Sequence, residues 1–202
     1  MLVVGLTGGL GAGKSTVGKA LAARGAVVID TDEVAREILA PGTPGAGAVL
    51  AHFGPEVAGA DGAIDRAALA RRAFSSREGT MALEAITHPR IQAEVARRLS
   101  SARAAGTRLV VIEIPLLDAA RRQRYELDLV VLVDASIEHA VARAVARGMA
   151  EQDARARMSW QPTQGERRSL ADRVVVNNYG LAELDAEVDQ LWEWLELIIN
   201  GS

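Results

Sequence analysis

Leu2–Thr16 reads LVVGLTGGLGAGKST, and the rest of the chain is interpreted outward from it. Leu2, Val3, Val4, Gly5 and Leu6 form a short apolar run of the length of a buried strand. Gly8-x-x-x-x-Gly13-Lys14-Ser15 then matches the Walker A pattern. Glycines let successive backbone N–H groups turn toward a phosphate that a Cβ would obstruct, and the helix expected from Lys14 adds its positive dipole end. Lys14 supplies a compact charge for the terminal phosphates, and the Ser15 hydroxyl is placed to ligate Mg²⁺. Of 23 basic residues only Lys14 and Lys19 are lysine, so the chain departs from its arginine habit where a point charge suits better than a planar fork.

Composition narrows the classes. At 202 residues the chain suits one core carrying inserted subdomains. The absence of cysteine excludes disulfides, thiolate metal sites and cysteine nucleophiles. A net charge of −3 argues against nucleic acid as the partner. The first strand starts at residue 2 and no apolar run approaches the ~20 residues of a membrane span, so a cytoplasmic protein without a membrane partner is expected, most simply a monomer.

Further apolar runs at 26–29, 108–113, 127–133 and 173–176 make five strands with the first, each solid enough for a parallel sheet covered on both faces. Residues 40–105 read as helices instead, with Pro89 expected to interrupt or kink a long one starting near Arg77. Helices are also expected over Ser136–Arg147, Met149–Trp160, Gly165–Ala171 and Leu181–Ile199. The fold class is therefore α/β, a doubly wound five-stranded parallel sheet of P-loop kinase type with an inserted all-helical substrate domain and a helical lid.

Asp30-Thr31-Asp32 follows the second strand at the carboxyl edge of the sheet, where this fold binds ligands. A kinase needs a carboxylate there to orient the acceptor hydroxyl, and either Asp can also cap the next helix. Glu113 ends the third strand, positioned either to hold Mg²⁺ or to sit in an ion pair. Arg143 and Arg147 share a helix face, a wet surface if they face solvent and a means of neutralising phosphate charge if they close over the loop, whereas Arg155, Arg157, Arg167 and Arg168 read as a solvated lid surface. His88 reads as structural, and Trp160, Trp192 and Trp194 as packing residues.

The motifs GLTGGLGAGKST at 5–16, VIDTDEVAREIL at 28–39, Asp65-Arg66-x-x-Leu69, Thr87-His88-Pro89, EIPLL at 113–117, Arg143, Arg147, Gln161 and ADRVVVNN at 171–178 together resemble the dephospho-coenzyme A kinases. The resemblance runs almost end to end. It implies ATP-dependent phosphorylation of the ribose 3′-hydroxyl of dephospho-CoA, with ATP and Mg²⁺. It implies a nucleotide-binding core over 1–33, 106–144 and 169–202, an acceptor domain over 34–105 and a lid over 145–168. It implies Asp32, Lys14 and Arg143 as the catalytic set. Gly11, Ala12, Gly13, Ser15, Thr16 and Asn177 join Lys14 and Arg143 on the ATP side, and Thr7, Asp30, Arg66 and His88 join Asp32 on the acceptor side. Asp118-Ala119 after Leu117, Val176 and Pro162 depart from the family pattern without touching these residues. The rival kinase reading is a shikimate-type or nucleoside monophosphate enzyme. A GTP-driven switch is opposed by the lack of Asn-Lys-x-Asp, since neither lysine stands in that setting.

Overall fold

The structure, a computed structural model, describes residues 1–59 and 62–201. Ala60 and Asp61 of the expected acceptor domain, and Ser202 of the core segment 169–202, lie outside the described residues.

The five apolar runs become β1 (Leu2–Gly8), β2 (Val27–Asp30), β3 (Leu109–Glu113), β4 (Leu129–Asp134) and β5 (Arg173–Val176). They pair in parallel in the order β2-β3-β1-β4-β5, so β1 is central. All five residues of β3 are buried, which is what an unbroken Leu-Val-Val-Ile-Glu run implies for a strand covered on both faces. The connection from β1 leads out one side of the sheet and the later strands fill the other, so the loop after β1 sits at the topological switch point.

Two helices cover one face. α1 (Lys14–Ala23) contributes Val17 and Leu21, and α10 (Leu181–Gly201) contributes Val188, Leu191 and Leu195, all fully buried with Val4, Val111 and Val133. Each such side chain is worth about 1.5–3 kcal/mol of burial. Arg24, just past α1, clamps α10 through Asp185 at 2.7 Å and Asp189 at 2.5 Å. The helices after β3 and β4 are α6 (Ala119–Arg124), α7 (Ile137–Ala146), α8 (Glu151–Ser159) and α9 (Gln164–Ser169). Ser136 caps α7 through the His139 N–H, and Thr163 and Glu166 cap α9 reciprocally.

The chain divides into two compact units, Met1–Asp30 with Leu99–Ser202, and Thr31–Arg98. The second comprises α2 (Thr31–Glu37), α3 (Pro44–Phe53), a 3₁₀ turn (Pro55–Val57), α4 (Arg66–Ala73) and most of α5 (Arg77–Ala104). Val49, Phe53, Val57, Leu69 and Ala73 form a core of its own. Thr43 and Asp65 cap α3 and α4, the former just before Pro44 at the first helical position, where its missing N–H costs nothing. Among the described residues its extended structure is confined to one antiparallel bridge, Ala58 with Ile64.

Pro89 does not end its helix: α5 runs unbroken from Arg77 to Ala104. The Thr87 hydroxyl donates to the Leu83 carbonyl at 2.8 Å and Arg90 Nη1 to the Ile86 carbonyl at 2.6 Å. Neither serves the Ala85 carbonyl, whose helical donor the proline removes; Ala82, Leu83 and Ile86 pack against the apolar core of this unit, and that burial holds the helix across the proline. No helix among the described residues is long and apolar enough to cross a membrane.

Candidate active site

The loop between β1 and α1 carries Gly11 at φ 73° and Gly13 at φ 98°, both in the left-handed region that glycine enters without strain. Space is as restrictive as angle. A Cβ on Gly11 would collide with the Ala140 carbonyl, and one on Gly13 with Asn177 Nδ2. Gly13 is the N-cap of α1 and offers no side-chain acceptor, so the first amides of α1, beginning at Lys14, keep their N–H groups for a ligand. Ser15 and Thr16 are exposed in this first turn.

Lys14 Nζ lies 2.8 Å from Glu113 Oε2, with only 5% of the Glu113 side chain exposed. Gly18, one turn further along α1, makes room for that carboxylate, since a Cβ there would collide with Glu113 Oε1. Of the two alternatives open for Glu113, the structure presents the ion pair. Asp30 ends β2 opposite Glu113 in register, and buried Thr7 lies opposite Leu132 in β4. Lys14, Glu113 and Asp30 therefore share the carboxyl edge of the sheet.

Asn177, just past β5 and 4% exposed, ties two further parts together. Its Nδ2 donates to the Ala12 carbonyl at 2.8 Å, and its Oδ1 accepts from Arg143 Nη2 at 2.9 Å. Arg143 also reaches the Tyr179 carbonyl at 3.4 Å, and its Nη1 is buried without a hydrogen-bond partner. A buried guanidinium N–H left unbonded is costly, which is the condition of a group shaped to meet an anion. Arg147 is exposed just past α7, apart from the Arg143–Asn177 contact, and Arg155 pairs with Glu151 one turn away on the surface.

Arg167 is only partly exposed, and Arg168, half of whose side chain is in solvent, is also anchored to a buried acid. Arg168 Nη2 bridges Asp134 Oδ2 at 2.6 Å, and Gln164 Nε2 donates to the same oxygen at 2.7 Å. Asp134, 2% exposed at the end of β4, went unread in the sequence although it ends its strand as Glu113 does. The four-residue spacing of Gln164 and Arg168 was the available signal. Gln161 Oε1 accepts the Leu10 N–H at 3.1 Å, so the 145–168 segment contacts the phosphate loop itself. Trp160 is 89% exposed and is no packing residue, whereas Trp192 and Trp194 pack on the sheet core.

Asp32, Arg66 and His88 belong to the helical unit. Asp32 is exposed in the first turn of α2, Arg66 is exposed at the first residue of α4, and His88 is half-buried in α5. No cluster of three or more His, Asp or Glu among the described residues makes a metal cage. What is present, a Ser hydroxyl and single carboxylates near a phosphate loop, suits a hard cation that takes most of its ligands from phosphate and water.

A five-stranded parallel sheet with a Walker A loop at its switch point, and arginines bearing on that loop, defines a P-loop kinase. The dephospho-CoA kinase family model matches residues 2–183. A dephospho-CoA kinase of Frankia casuarinae is 47% identical over 193 residues, covering 96% of this chain and 83% of that protein. One from Streptomyces avermitilis is 47% identical over 193 residues, covering 95% and 93%. A crystal structure of a Thermus thermophilus protein superposes with a TM-score of 0.80 at 33% identity, covering 96% of this chain and 97% of that one. The chain belongs to the dephospho-CoA kinase family, whose members carry out the last, ATP-dependent step of coenzyme A biosynthesis.

Proposed function

We propose that this chain transfers the γ-phosphoryl group of ATP to the ribose 3′-hydroxyl of dephospho-CoA, giving CoA and ADP. The observation that supports it most is the set of side chains converging on the phosphate loop, namely Lys14 with Glu113 and Arg143 with Asn177, in a chain whose relatives along nearly its whole length are dephospho-CoA kinases.

The division of labour follows from the chemistry. Backbone N–H groups of Gly11, Gly13, Lys14 and Ser15, the Thr16 hydroxyl and the Lys14 ammonium hold the phosphates, and Arg143 neutralises charge that builds on them. Asn177 is a positioning residue: it fixes Arg143 and the Ala12 carbonyl in one arrangement. Ser15 would hold Mg²⁺, with Glu113 as the nearby carboxylate, and the ion would shield phosphate charge from the incoming oxygen, while Asp30 serves the acceptor side. Asp32 is the carboxylate for the acceptor hydroxyl, which it orients and whose proton it takes as the new P–O bond forms. Thr7, Arg66 and His88 recognise the rest of the acceptor, Arg66 as a cation suited to its phosphates. The 34–105 segment serves as the acceptor domain and 145–168 as the lid.

The test is an acceptor panel followed by ³¹P NMR. Dephospho-CoA should gain a 3′-phosphate as ADP appears, and intact CoA, whose 3′-oxygen is already esterified, should not react. Preferred phosphorylation of shikimate or a nucleoside monophosphate would contradict the acceptor assignment.

A further inference from the structure

Arg167 lies where the sequence offers no reason to expect it. Its guanidinium faces the backbone of Gly9: a Cβ built there would stand 3.5 Å from both Cζ and Nη2. Its Nη1 donates to the Pro162 carbonyl, while its Nε is buried and unbonded. Among the described residues, Arg167 Nε and Arg143 Nη1 are the two buried side-chain polar atoms without a partner. Both belong to guanidinium groups beside the same phosphate loop, one near Gly9 and one reached through Asn177 and Ala12.

Arg167 is held there by its neighbours. Gln164 and Arg168, one turn apart on α9, both anchor to the buried Asp134 carboxylate. Arg167 is offset by about 100° around the helix from Arg168, so anchoring one face directs the next residue elsewhere. Gln161 completes the arrangement by taking the Leu10 N–H. A cavity of about 220 Å³ lined by Gly9, Leu10, Asp134, Gln161, Gln164 and Arg167 opens at this point. The one carboxylate on it, Asp134, already carries the charge of Arg168. A guanidinium with unspent N–H groups beside the Gly9–Leu10 backbone is thus free to bind an anion.

We infer that Arg167 is the lid cation that grips the terminal phosphate of the nucleotide, with Asp134, Gln164 and Arg168 as its positioning residues. Gly9 and Leu10 lie at the upstream end of the phosphate loop, away from the Lys14 and Ser15 amides at the start of α1, where the inner phosphates would sit. A cation at Gly9 therefore distinguishes a nucleoside triphosphate from the diphosphate product. This rests on the kinase reading above, and the experiment separates the two.

Binding of the non-hydrolysable triphosphate AMP-PNP and of ADP, each with Mg²⁺, is measured by calorimetry on the full chain. The variants are Arg167→Met, which keeps the aliphatic stem over Gly9, and Arg167→Gln, which keeps some polarity. Arg155→Ala serves as a lid-arginine control. For both Arg167 variants the AMP-PNP Kd should rise about ten- to a hundredfold, the range of a lost charged hydrogen bond, with ADP changing less than about threefold. Arg155→Ala should change neither. Equal weakening of AMP-PNP and ADP would make Arg167 a structural residue, and an unchanged AMP-PNP preference would remove it from the site; either overturns the inference. If one variant misfolds, the other decides. Failure of the unsubstituted chain to bind AMP-PNP would instead overturn its reading as an ATP-dependent kinase.

Discussion

In the sheet unit, functional side chains answer one another: Lys14 with Glu113, Arg143 with Asn177, Arg168 with Asp134. In the helical unit, Asp32 and Arg66 stand exposed at helix starts and His88 in mid-helix, around a separate small apolar core. The difference fits two tasks. Triphosphate is a compact, fixed charge, and a rigid cradle with preset partners stabilises its transition state without reorganisation. On the proposed function, an acceptor built of several chemically different parts would be met by scattered groups on stable helices, each contributing one contact. Substitutions in the sheet unit should therefore cost catalysis and stability together, while those in the helical unit should separate the two.

The largest effect is expected at Lys14. Lys14→Ala should lower kcat at least about 10³-fold and remove the 2.8 Å ion pair with buried Glu113, costing about 1–3 kcal/mol of stability by denaturant titration. Lys14→Ala with Glu113→Gln should recover most of that stability and none of the activity. A single variant as stable as the parent would break the claim that the cradle is preset.

Gly18→Ala comes next. In an open helix this change gains about 1 kcal/mol, but here the new Cβ displaces the Glu113 carboxylate. We expect a melting point below the parent's and a kcat lower by about tenfold or more; a stabilised, fully active variant would show that Glu113 can move without consequence. Asn177→Ala should then raise the KM for ATP by about tenfold while costing about 1–2 kcal/mol, since the Ala12 carbonyl and Arg143 lose their shared partner. An unchanged KM for ATP would leave Asn177 a purely structural residue.

The smallest effect sharpens the comparison from the helical side. Arg97 and Arg98 hydrogen-bond Glu94 on α5 and hold its carboxyl at about 2, below its ordinary 4.5. A lowered folded-state value means this contribution is whole above about pH 4.5 and fades as pH falls toward 2. For a solvent-accessible pair it amounts to about 1 kcal/mol at most. Glu94→Gln should flatten stability between those pH values and leave kcat at neutral pH unchanged. An acid-sensitive kcat that follows Glu94 would tie α5 to catalysis.

The sheet was legible because parallel strands are largely apolar runs, each stopped by a polar residue or glycine; β3 and β5 fall within a residue of the reading. The phosphate loop was legible because its geometry admits so few residue types. The helix through Pro89 was not, because it is held by packing of Ala82, Leu83 and Ile86 on a core assembled from other helices. Arg167 and Asp134 escaped for a related reason. In a polar, arginine-rich stretch, sequence spacing does not say which arginine faces solvent and which faces a buried acid. Gly18 carried no signal at all, since the Cβ it must lack is excluded by a strand 95 residues away in sequence, at Glu113.

The central claim is that phosphate handling resides in the sheet unit and acceptor activation in the helical unit. Asp32→Asn tests it most directly, with single-turnover rate and MgATP affinity measured on one preparation. The account predicts a rate on dephospho-CoA lower by roughly 10²-fold or more with the ATP Kd within about twofold of the parent. An unchanged rate, or a loss of ATP affinity matching the loss of rate, would contradict it.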